Sequence, residues 1–196
     1  MAGIRLIAGL GNPGPRYEPT RHNAGANFAW YLSRRFNVPL SQESKFKGHV
    51  GRGEVAGHDL RILVPATFMN LSGESVGAVA RFYKIASAEI LVAYDEMAFA
   101  PGQLRLKSGG GDNGHNGIRS VIAGLGGQRE FHRLRIGVGH PGDRDKVTAY
   151  LTSQRTPVAE RELMEQAFDI PDAVLQDMLS GDFQKAMNAL HAPGAE

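Results

Sequence analysis

The chain has 196 residues, 42% of them hydrophobic, which fits one globular domain over residues 1–196 with a substantial core. It has no cysteine, which excludes disulfides, thiolate metal sites and a cysteine nucleophile and favours a cytoplasmic location. The net charge of +2 is uneven, because residues 1–155 carry +8 and residues 156–196 carry −6. A basic body favours a polyanionic partner, although a solvated surface with an unrelated acidic tail explains it equally well.

Strands and helices alternate along the first half of the chain. Apolar runs predict buried strands at residues 4–9 and 90–94, and strand-like stretches appear near 46–55 and 60–64. Thr20 is a candidate cap of a first helix, on which apolar residues recur at helical spacing from Phe28 to Phe36. Ser72 is a candidate cap of a second helix, with Val76 on its apolar stripe.

The second half continues this alternation and then becomes helical. Strands at 103–107 and 133–138 enclose a glycine-rich segment that leads into a helix. Later helices are expected to start at Pro157, Pro171 and Asp182. The pattern predicts an α/β domain with a mostly parallel or mixed sheet and a helical C-terminal tail. No apolar run approaches the roughly 18 residues of a spanning helix, so no membrane partner is expected.

Polar residues gather where the predicted strands end. Ligands of such sheets bind outside the carboxyl ends of the strands, and these ends lead to Asn12 and His22, to Asn70 and to Asp95. His22 lies near a helix start, whose dipole disfavours imidazolium and keeps the ring available as a base. Asp95 can accept from its other nitrogen and fix the tautomer. A surface histidine and a turn aspartate are the alternative interpretations.

Amide side chains and the glycine-rich loop add further candidates. Asn12 and Asn70 offer donors for a carbonyl oxygen that gains charge in acyl transfer, although asparagine is also common in turns. Residues 109–117 lead into a helix N-terminus, where backbone amides can hold an anion or a nucleic-acid end. Asn116 also fits a helix N-cap, and His115 a loop side chain.

Basic residues cluster around the strand at 133–138. Arg133 and Arg135 lie two positions apart and therefore point to the same face of the sheet. Together with Lys107 they can grip phosphates. A solvated charged face is the alternative.

Several ordered motifs carry a resemblance to a known family. They are Gly9–Gly14 with Tyr17, Thr20–Gly25, Thr67–Gly73, Asp95–Glu96, Gly114–Gly117 and Phe131–Gly139. In these motifs the chain strongly resembles bacterial peptidyl-tRNA hydrolases, from about residue 5 to the C-terminus. The resemblance implies a single α/β domain with a twisted mixed sheet, usually monomeric, that needs no metal or other cofactor.

The resemblance also implies an activity, hydrolysis of the ester between a peptide and the 3′-terminal ribose of tRNA. His22 would activate water, with Asp95 as its partner. The amides that position the peptide, the water and the 3′ end would be Asn12, Asn70 and Asn116.

The remaining implied contacts concern the tRNA, whose acceptor end and 3′ CCA are the expected partner. Lys107 and Arg135 resemble a clamp on the 5′ phosphate, and Tyr17 a residue beside the terminal ribose. Met69 and His115 are further expected binding residues.

Two short segments depart from the family pattern. Ala98 and Ala100 stand in a stretch where relatives usually carry an acidic residue and a proline, and Asn113 stands where glycine is common. Ribose or loop contacts that relatives make at these positions are therefore in doubt in this chain.

Two other functions compete with this interpretation. Gly73–Gly77 fits the G-x-S-x-G elbow of a serine esterase, with Ser75 followed by Asp95 and His132, but no strand leads directly into it. A non-catalytic RNA-binding module would use the basic body and the glycine loop, but would need neither His22 nor Asp95. A metallohydrolase is not favoured, because the histidines lack H-E-x-x-H or comparable spacing.

Overall fold

The computed structural model describes residues 2–191. Met1 and residues 192–196, which the expected domain over 1–196 includes, lie outside the described residues. The strands are β1 Leu6–Gly9, β2 Ser41–Glu43, β3 Gly48–Val55, β4 His58–Pro65, β5 Ile90–Glu96, β6 Leu104–Ser108 and β7 His132–Gly137. The α-helices are α1 Ala24–Arg35, α2 Ser72–Tyr83, α3 Asn116–Gly124, α4 Val147–Thr152, α5 Val158–Phe168, α6 Asp172–Ser180 and α7 Phe183–Leu190.

The strands form one sheet in the order β2-β3-β4-β1-β5-β7-β6. The four strands β4, β1, β5 and β7 run parallel, whereas β2, β3 and β6 are antiparallel to their neighbours. This confirms the expected α/β class with a mixed, largely parallel sheet and helices in the C-terminal segment. The placement of all strands in one sheet supports a single domain, which stays a prediction.

Alternation along the strands divides the core into two layers. Successive strand residues point to opposite faces, so Ile7 packs with α1 and the C-terminal helices while Leu6 packs with α2 and α3. Phe28 of α1 and Val76 of α2 are fully buried in these layers. Complete burial of such a side chain stabilises the fold by about 1.5–3 kcal/mol. Within residues 2–191, no helix combines the length and the apolar character needed to cross a bilayer.

The two predicted side-chain caps are wrong. Thr20 and Ser72 each donate the hydroxyl hydrogen backwards, to the carbonyls of Tyr17 at 2.6 Å and of Met69 at 2.7 Å. Both helices are entered through a short 3₁₀-helix. The hydroxyl of Ser72 closes the 3₁₀-helix Met69–Leu71, and that of Thr20 closes the turn from Tyr17 to Thr20 that precedes Arg21–Asn23.

Close packing of α1 against the sheet positions the polar residues that precede this helix. A Cβ atom at Gly25 would lie 2.1 Å from the carbonyl oxygen of Ala93, and one at Gly9 would lie 2.2 Å from the carbonyl oxygen of Gly25. Only glycine allows this approach of helix and strand. The 3₁₀-helix Arg21–Asn23 is thereby held at the carboxyl ends of β1 and β5.

Candidate active site

His22 and Asp95 form a buried hydrogen-bonded pair. Nδ1 of His22 lies 2.8 Å from Oδ2 of Asp95, and the aspartate side chain is only 2% exposed. His22 comes from the 3₁₀-helix before α1, and Asp95 from the end of β5. Because Nδ1 faces the carboxylate, Nε2 is the ring atom left to act on a substrate. The structure thus brings together the two residues that the sequence singles out as a base and its partner.

His115 occupies the other oxygen of the same carboxylate. Its Nε2 lies 2.8 Å from Oδ1 of Asp95, while its Nδ1 accepts from the backbone N–H groups of Gly117 and Ile118. An accepting Nδ1 carries no hydrogen, so Nε2 holds the ring proton and donates it to Asp95. His115 is therefore the N-cap of α3, and the interpretation of Asn116 as that cap is wrong.

The charges of this cluster shift the pKa values of His22 and Asp95. For Asp95, burial alone raises the pKa, but the two imidazoles outweigh it through charge and hydrogen bonds and hold the pKa well below its usual value. For His22, burial lowers the pKa, while the charge and hydrogen bond of Asp95 raise it and prevail. The expectation that a helix dipole disfavours the imidazolium is therefore wrong in its net direction, because Asp95 is closer and fully charged.

Asn12 is held in place by the side chain of Asn23 and by the backbone of Met69. Its N–H donates to Oδ1 of Asn23 at 2.9 Å, and its carbonyl accepts from Nδ2 of Asn23 at 2.9 Å. Its side-chain Oδ1 accepts from the N–H of Met69 at 2.7 Å. That contact fixes the amide orientation and leaves Nδ2 as a free donor. The buried side chain of Asn23 therefore fixes the backbone of the loop after β1.

A pocket of about 320 Å³ opens in front of the pair of His22 and Asp95. Its lining residues are Asn12, His22, Phe68, Met69, Asn70, Asn116 and Thr152. Asn70 lies in the 3₁₀-helix Met69–Leu71 and Asn116 is the first residue of α3, so both are exposed at helix starts. Met69 is 4% exposed and packs in the core, so it contributes mainly through its backbone N–H to Asn12.

Tyr17 lies at the edge of this pocket. Its ring contacts Phe68 edge to face, with centroids 6.3 Å apart. Phe68 is 56% exposed, so together the two rings present an apolar surface beside the amides.

Lys107 and Arg135 lie apart from the pocket, on β6 and β7. Lys107 pairs with Arg133 in the sheet register, which makes Lys107 and Arg135 diagonal neighbours on one face. The Nζ of Lys107 lies against Gly110 in the glycine-rich loop, where a Cβ atom would be 2.8 Å away. The two cations therefore face the same side as this loop.

Arg133 does not belong with these two partly buried cations, contrary to the sequence interpretation. It is 1% exposed, and its guanidinium donates to the carbonyls of Gly110 and Gly111. Burial lowers the pKa of Arg133. Its role is to anchor the glycine-rich loop over the sheet, so it is not free to grip a phosphate.

The departures from the family pattern lie beside the cation pair and in the glycine loop. Ala98 and Ala100 flank Phe99, whose ring centroid is 5.0 Å from the guanidinium carbon of Arg135. Asn113 has φ of +49°, in the left-handed region that glycine adopts without cost and asparagine better than most residues.

Ser75 is not placed as a nucleophile. It lies in the first turn of α2, is fully buried, and donates its hydroxyl to the carbonyl of Phe46 at 2.6 Å. His132 bonds to Ser108 and to the carbonyl of Ala88. The sequence-based elbow therefore has neither an exposed serine nor a base beside it.

A set of side chains that could ligate a metal coincides with the hydrogen-bonded cluster around Asp95. His22, Asp95 and His115 offer ligand atoms within 4.8 Å of one another, although sequence spacing did not indicate such a set. The two ring nitrogens donate hydrogen bonds to the carboxylate, so a metal bound through them would break both bonds and the hydrogens would have to leave these nitrogens. The metal-independent reaction stays a prediction.

Comparison with known proteins agrees with this geometry. A family model described as peptidyl-tRNA hydrolase matches residues 6–196. A peptidyl-tRNA hydrolase of Sodalis glossinidius is 50% identical over 189 residues, 96% of this chain and 97% of the relative. One from Pseudomonas putida is 49% identical over 195 residues, and the match covers 100% of both chains.

A solved structure shares the fold over nearly the whole chain. The crystal structure of peptidyl-tRNA hydrolase from Acinetobacter baumannii aligns with a TM-score of 0.91 and 44% identity, covering 98% of this chain and 96% of that one. The family that the motifs indicated is confirmed: the chain belongs to the peptidyl-tRNA hydrolase family.

Proposed function

We propose that this protein hydrolyses the ester between a peptide, or an N-blocked aminoacyl group, and the 3′-terminal ribose of tRNA, and so recycles the tRNA. One observation carries the proposal. The ring of His22 is oriented by Asp95 at 2.8 Å and lines a pocket that three asparagines share. This arrangement supplies a base, its charge partner and amide donors at one place.

In the proposed reaction His22 acts first as a base and then as an acid. Nε2 takes a proton from water as the water oxygen attacks the ester carbonyl carbon. Asp95 stabilises the resulting imidazolium through the bond to Nδ1. When the tetrahedral intermediate collapses, the ribose oxygen leaves with the pair of electrons from the broken C–O bond and takes the proton from His22. Proton transfer of this kind contributes about 10²–10⁴-fold in rate.

The asparagines are proposed to stabilise and position the reacting groups. Nδ2 of Asn12 is free and fixed in direction, because Oδ1 is occupied by the N–H of Met69. A fixed donor costs no reorganisation when the carbonyl oxygen becomes negative. Asn70 and Asn116 lie across the same pocket and are proposed to position the water and the 3′ end.

The tRNA is proposed to bind across the glycine-rich loop. Lys107 and Arg135 would clamp the 5′ phosphate of the acceptor end, while Tyr17 would lie beside the terminal ribose, with the CCA end entering the pocket. His115 is proposed to act indirectly, by holding both Asp95 and the start of α3. A cytoplasmic location and a monomeric state belong to the same proposal, and the cysteine-free sequence supports the location.

The two competing functions fit the geometry less well. A serine esterase would need Ser75 exposed, whereas its hydroxyl is buried and bonded to a backbone carbonyl. A binding module needs neither a base nor its charge partner, whereas the ring of His22 lines the pocket and is oriented by Asp95.

A matched pair of variants tests the proposal with N-blocked aminoacyl-tRNA as substrate. His22→Ala is expected to lower kcat by at least about 10²-fold while tRNA affinity stays close to wild type. Ser75→Ala, which removes the hydroxyl that the competing serine esterase would need, is expected to retain kcat in the fraction that folds. Retention of more than about a tenth of kcat by His22→Ala would contradict the role of His22 as base.

A further inference from the structure

A second polar pocket lies at the end of the sheet opposite the candidate active site. It has a volume of about 220 Å³ and is lined by Arg5, Arg52, Asp59, Leu60, Arg61 and Tyr83. Arg5 precedes β1, and Arg61 lies in the first half of β4, so the pocket is at the amino ends of strands whose carboxyl ends carry the active site. The helix α2 separates the two, and its 12 residues span about 18 Å.

The charge of this pocket is positive. Its lining holds three guanidinium groups against the single carboxylate of Asp59. Arg52 and Arg61 are direct cross-strand partners in β3 and β4, a like-charge pair that is unfavourable without a compensating anion. Of the two arginines, Asp59 is hydrogen-bonded to Arg52, with the shorter contact at 2.6 Å, and its charge acts on Arg61 only through space.

Arg5 is likewise engaged in the fold. Its guanidinium donates to the carbonyls of Tyr83 and Lys84 at the C-terminal end of α2, and lies 3.5 Å from Glu89. These contacts satisfy the carbonyl end of the helix. Arg5 therefore shapes one wall of the pocket and contributes positive charge.

Arg61 remains as the free cation. Its guanidinium carbon lies 3.5 Å from the centroid of the Tyr83 ring, and within residues 2–191 no hydrogen-bond or ion-pair partner is found for it. Stacking fixes the plane of the guanidinium while its N–H groups stay available. A planar fork held in this way suits the oxygens of a phosphate.

An exposed aromatic surface adjoins the pocket. Phe82 is 58% exposed, and its ring centroid lies 4.8 Å from that of Tyr83. Nζ of Lys45 lies 4.3 Å from the Phe82 centroid and adds another cation. Cations interleaved with exposed aromatic rings are the combination that binds a nucleic-acid backbone and stacks on its bases.

We propose that Arg61, with Arg52 and the rings of Tyr83 and Phe82, forms a second RNA contact. It lies remote from the active site and binds a phosphate of the RNA backbone. RNA and free phosphate compounds both carry the phosphate group that this pocket would recognise. The aromatic surface favours RNA, because a free phosphate would not use Phe82.

The first experiment titrates inorganic phosphate into the full chain and follows the arginine Nε–Hε signals by NMR. Saturable shifts are expected for Arg61 in wild type, and the shifts of the remaining pocket arginines are expected to be lost in Arg61→Ala. Arg61→Lys keeps the charge without the planar fork and should bind phosphate more weakly. Arg34→Ala is the matched control, since Arg34 is an exposed arginine of α1 on the other face of the sheet. Absence of saturable shifts at Arg61 in folded protein overturns the proposal.

The second experiment asks whether RNA is the source of the phosphate. A labelled single-stranded oligoribonucleotide is titrated in the Lys107→Ala/Arg135→Ala background, so that the binding measured does not depend on that cation pair. Adding Arg61→Ala is expected to weaken binding about tenfold and to flatten the dependence of log affinity on log salt by about 0.7. Equal RNA affinity in the Arg61→Ala and Arg34→Ala proteins would overturn the assignment to RNA, even if inorganic phosphate binds.

Discussion

Replacing Asp95 by Asn tests the catalytic pair most selectively, because it removes one charge at nearly constant volume. In the wild type, Asp95 accepts from His22 and from His115, each at 2.8 Å, and is 3% exposed. An asparagine can accept at one side-chain atom only. Its amide N–H groups would then face a ring nitrogen that carries hydrogen, so one of the two rings must change tautomer or move.

The expected loss follows from the charge. Two unit charges about 4 Å apart attract by about 4 kcal/mol at an effective dielectric of 20, and loss of this stabilisation of the imidazolium corresponds to about 10³-fold in kcat. The pH profile should shift as well. Asp95 raises the pKa of His22 against burial, so without its charge burial prevails and the pKa falls. The unprotonated ring of His22 is the active form. The activity of Asp95→Asn should therefore begin to rise at a lower pH than that of the wild type, and should reach a lower plateau.

The assay is a pH series of kcat/KM and kcat on N-blocked aminoacyl-tRNA for wild type and Asp95→Asn. Circular dichroism and thermal unfolding establish that both proteins are folded. If both proteins reach the same plateau and rise over the same pH range, the charge of Asp95 does not assist His22. Asp95 would then be only a residue at the end of β5.

Two further predictions concern substrate binding and metal independence. Lys107→Ala and Arg135→Ala should each flatten the plot of log affinity for tRNA against log salt by about 0.7–0.9 with kcat nearly retained, whereas Arg34→Ala should leave the slope unchanged. If the salt dependence is unchanged in both Lys107→Ala and Arg135→Ala, these two residues belong to a solvated basic face and do not clamp a phosphate. Prolonged dialysis against a chelator should not alter kcat, since no step of the proposed reaction uses a Lewis acid. Loss of activity that added zinc restores would contradict this and direct attention to His22, Asp95 and His115 as ligands.

Much of the fold could be predicted because its strands are apolar and its helices have clear starts. The strand predicted at 90–94 corresponds to β5, and the helices predicted from Pro157, Pro171 and Asp182 begin directly after these residues. The edge strand β2 and the helix α4 were not anticipated. Their residues lack the buried apolar pattern on which such predictions depend, and within both elements no residue is fully buried.

The candidate site could be predicted as a set of residues but not as a network. Parallel strand ends brought Asn12, His22 and Asp95 together as expected. The contact of His115 with Asp95 depends on the path of a loop with several glycines at positive φ, which spacing does not determine. In the sequence, Asn23 stands out only as part of a motif. Its two hydrogen bonds to the backbone of Asn12 depend on how the loop after β1 packs against it.

The role of His22 as the base is tested most directly by measuring the ionisation of its ring and comparing it with the pH dependence of catalysis. Nitrogen-15 NMR of the labelled imidazole gives both its tautomer and its pKa in the folded protein. We expect a neutral ring with hydrogen on Nδ1, a pKa raised above that of an ordinary histidine, and a kinetic pKa of kcat/KM that coincides with it. A ring that titrates at a pH different from the activity limb, or that carries its hydrogen on Nε2, would contradict the assignment of His22 as the base.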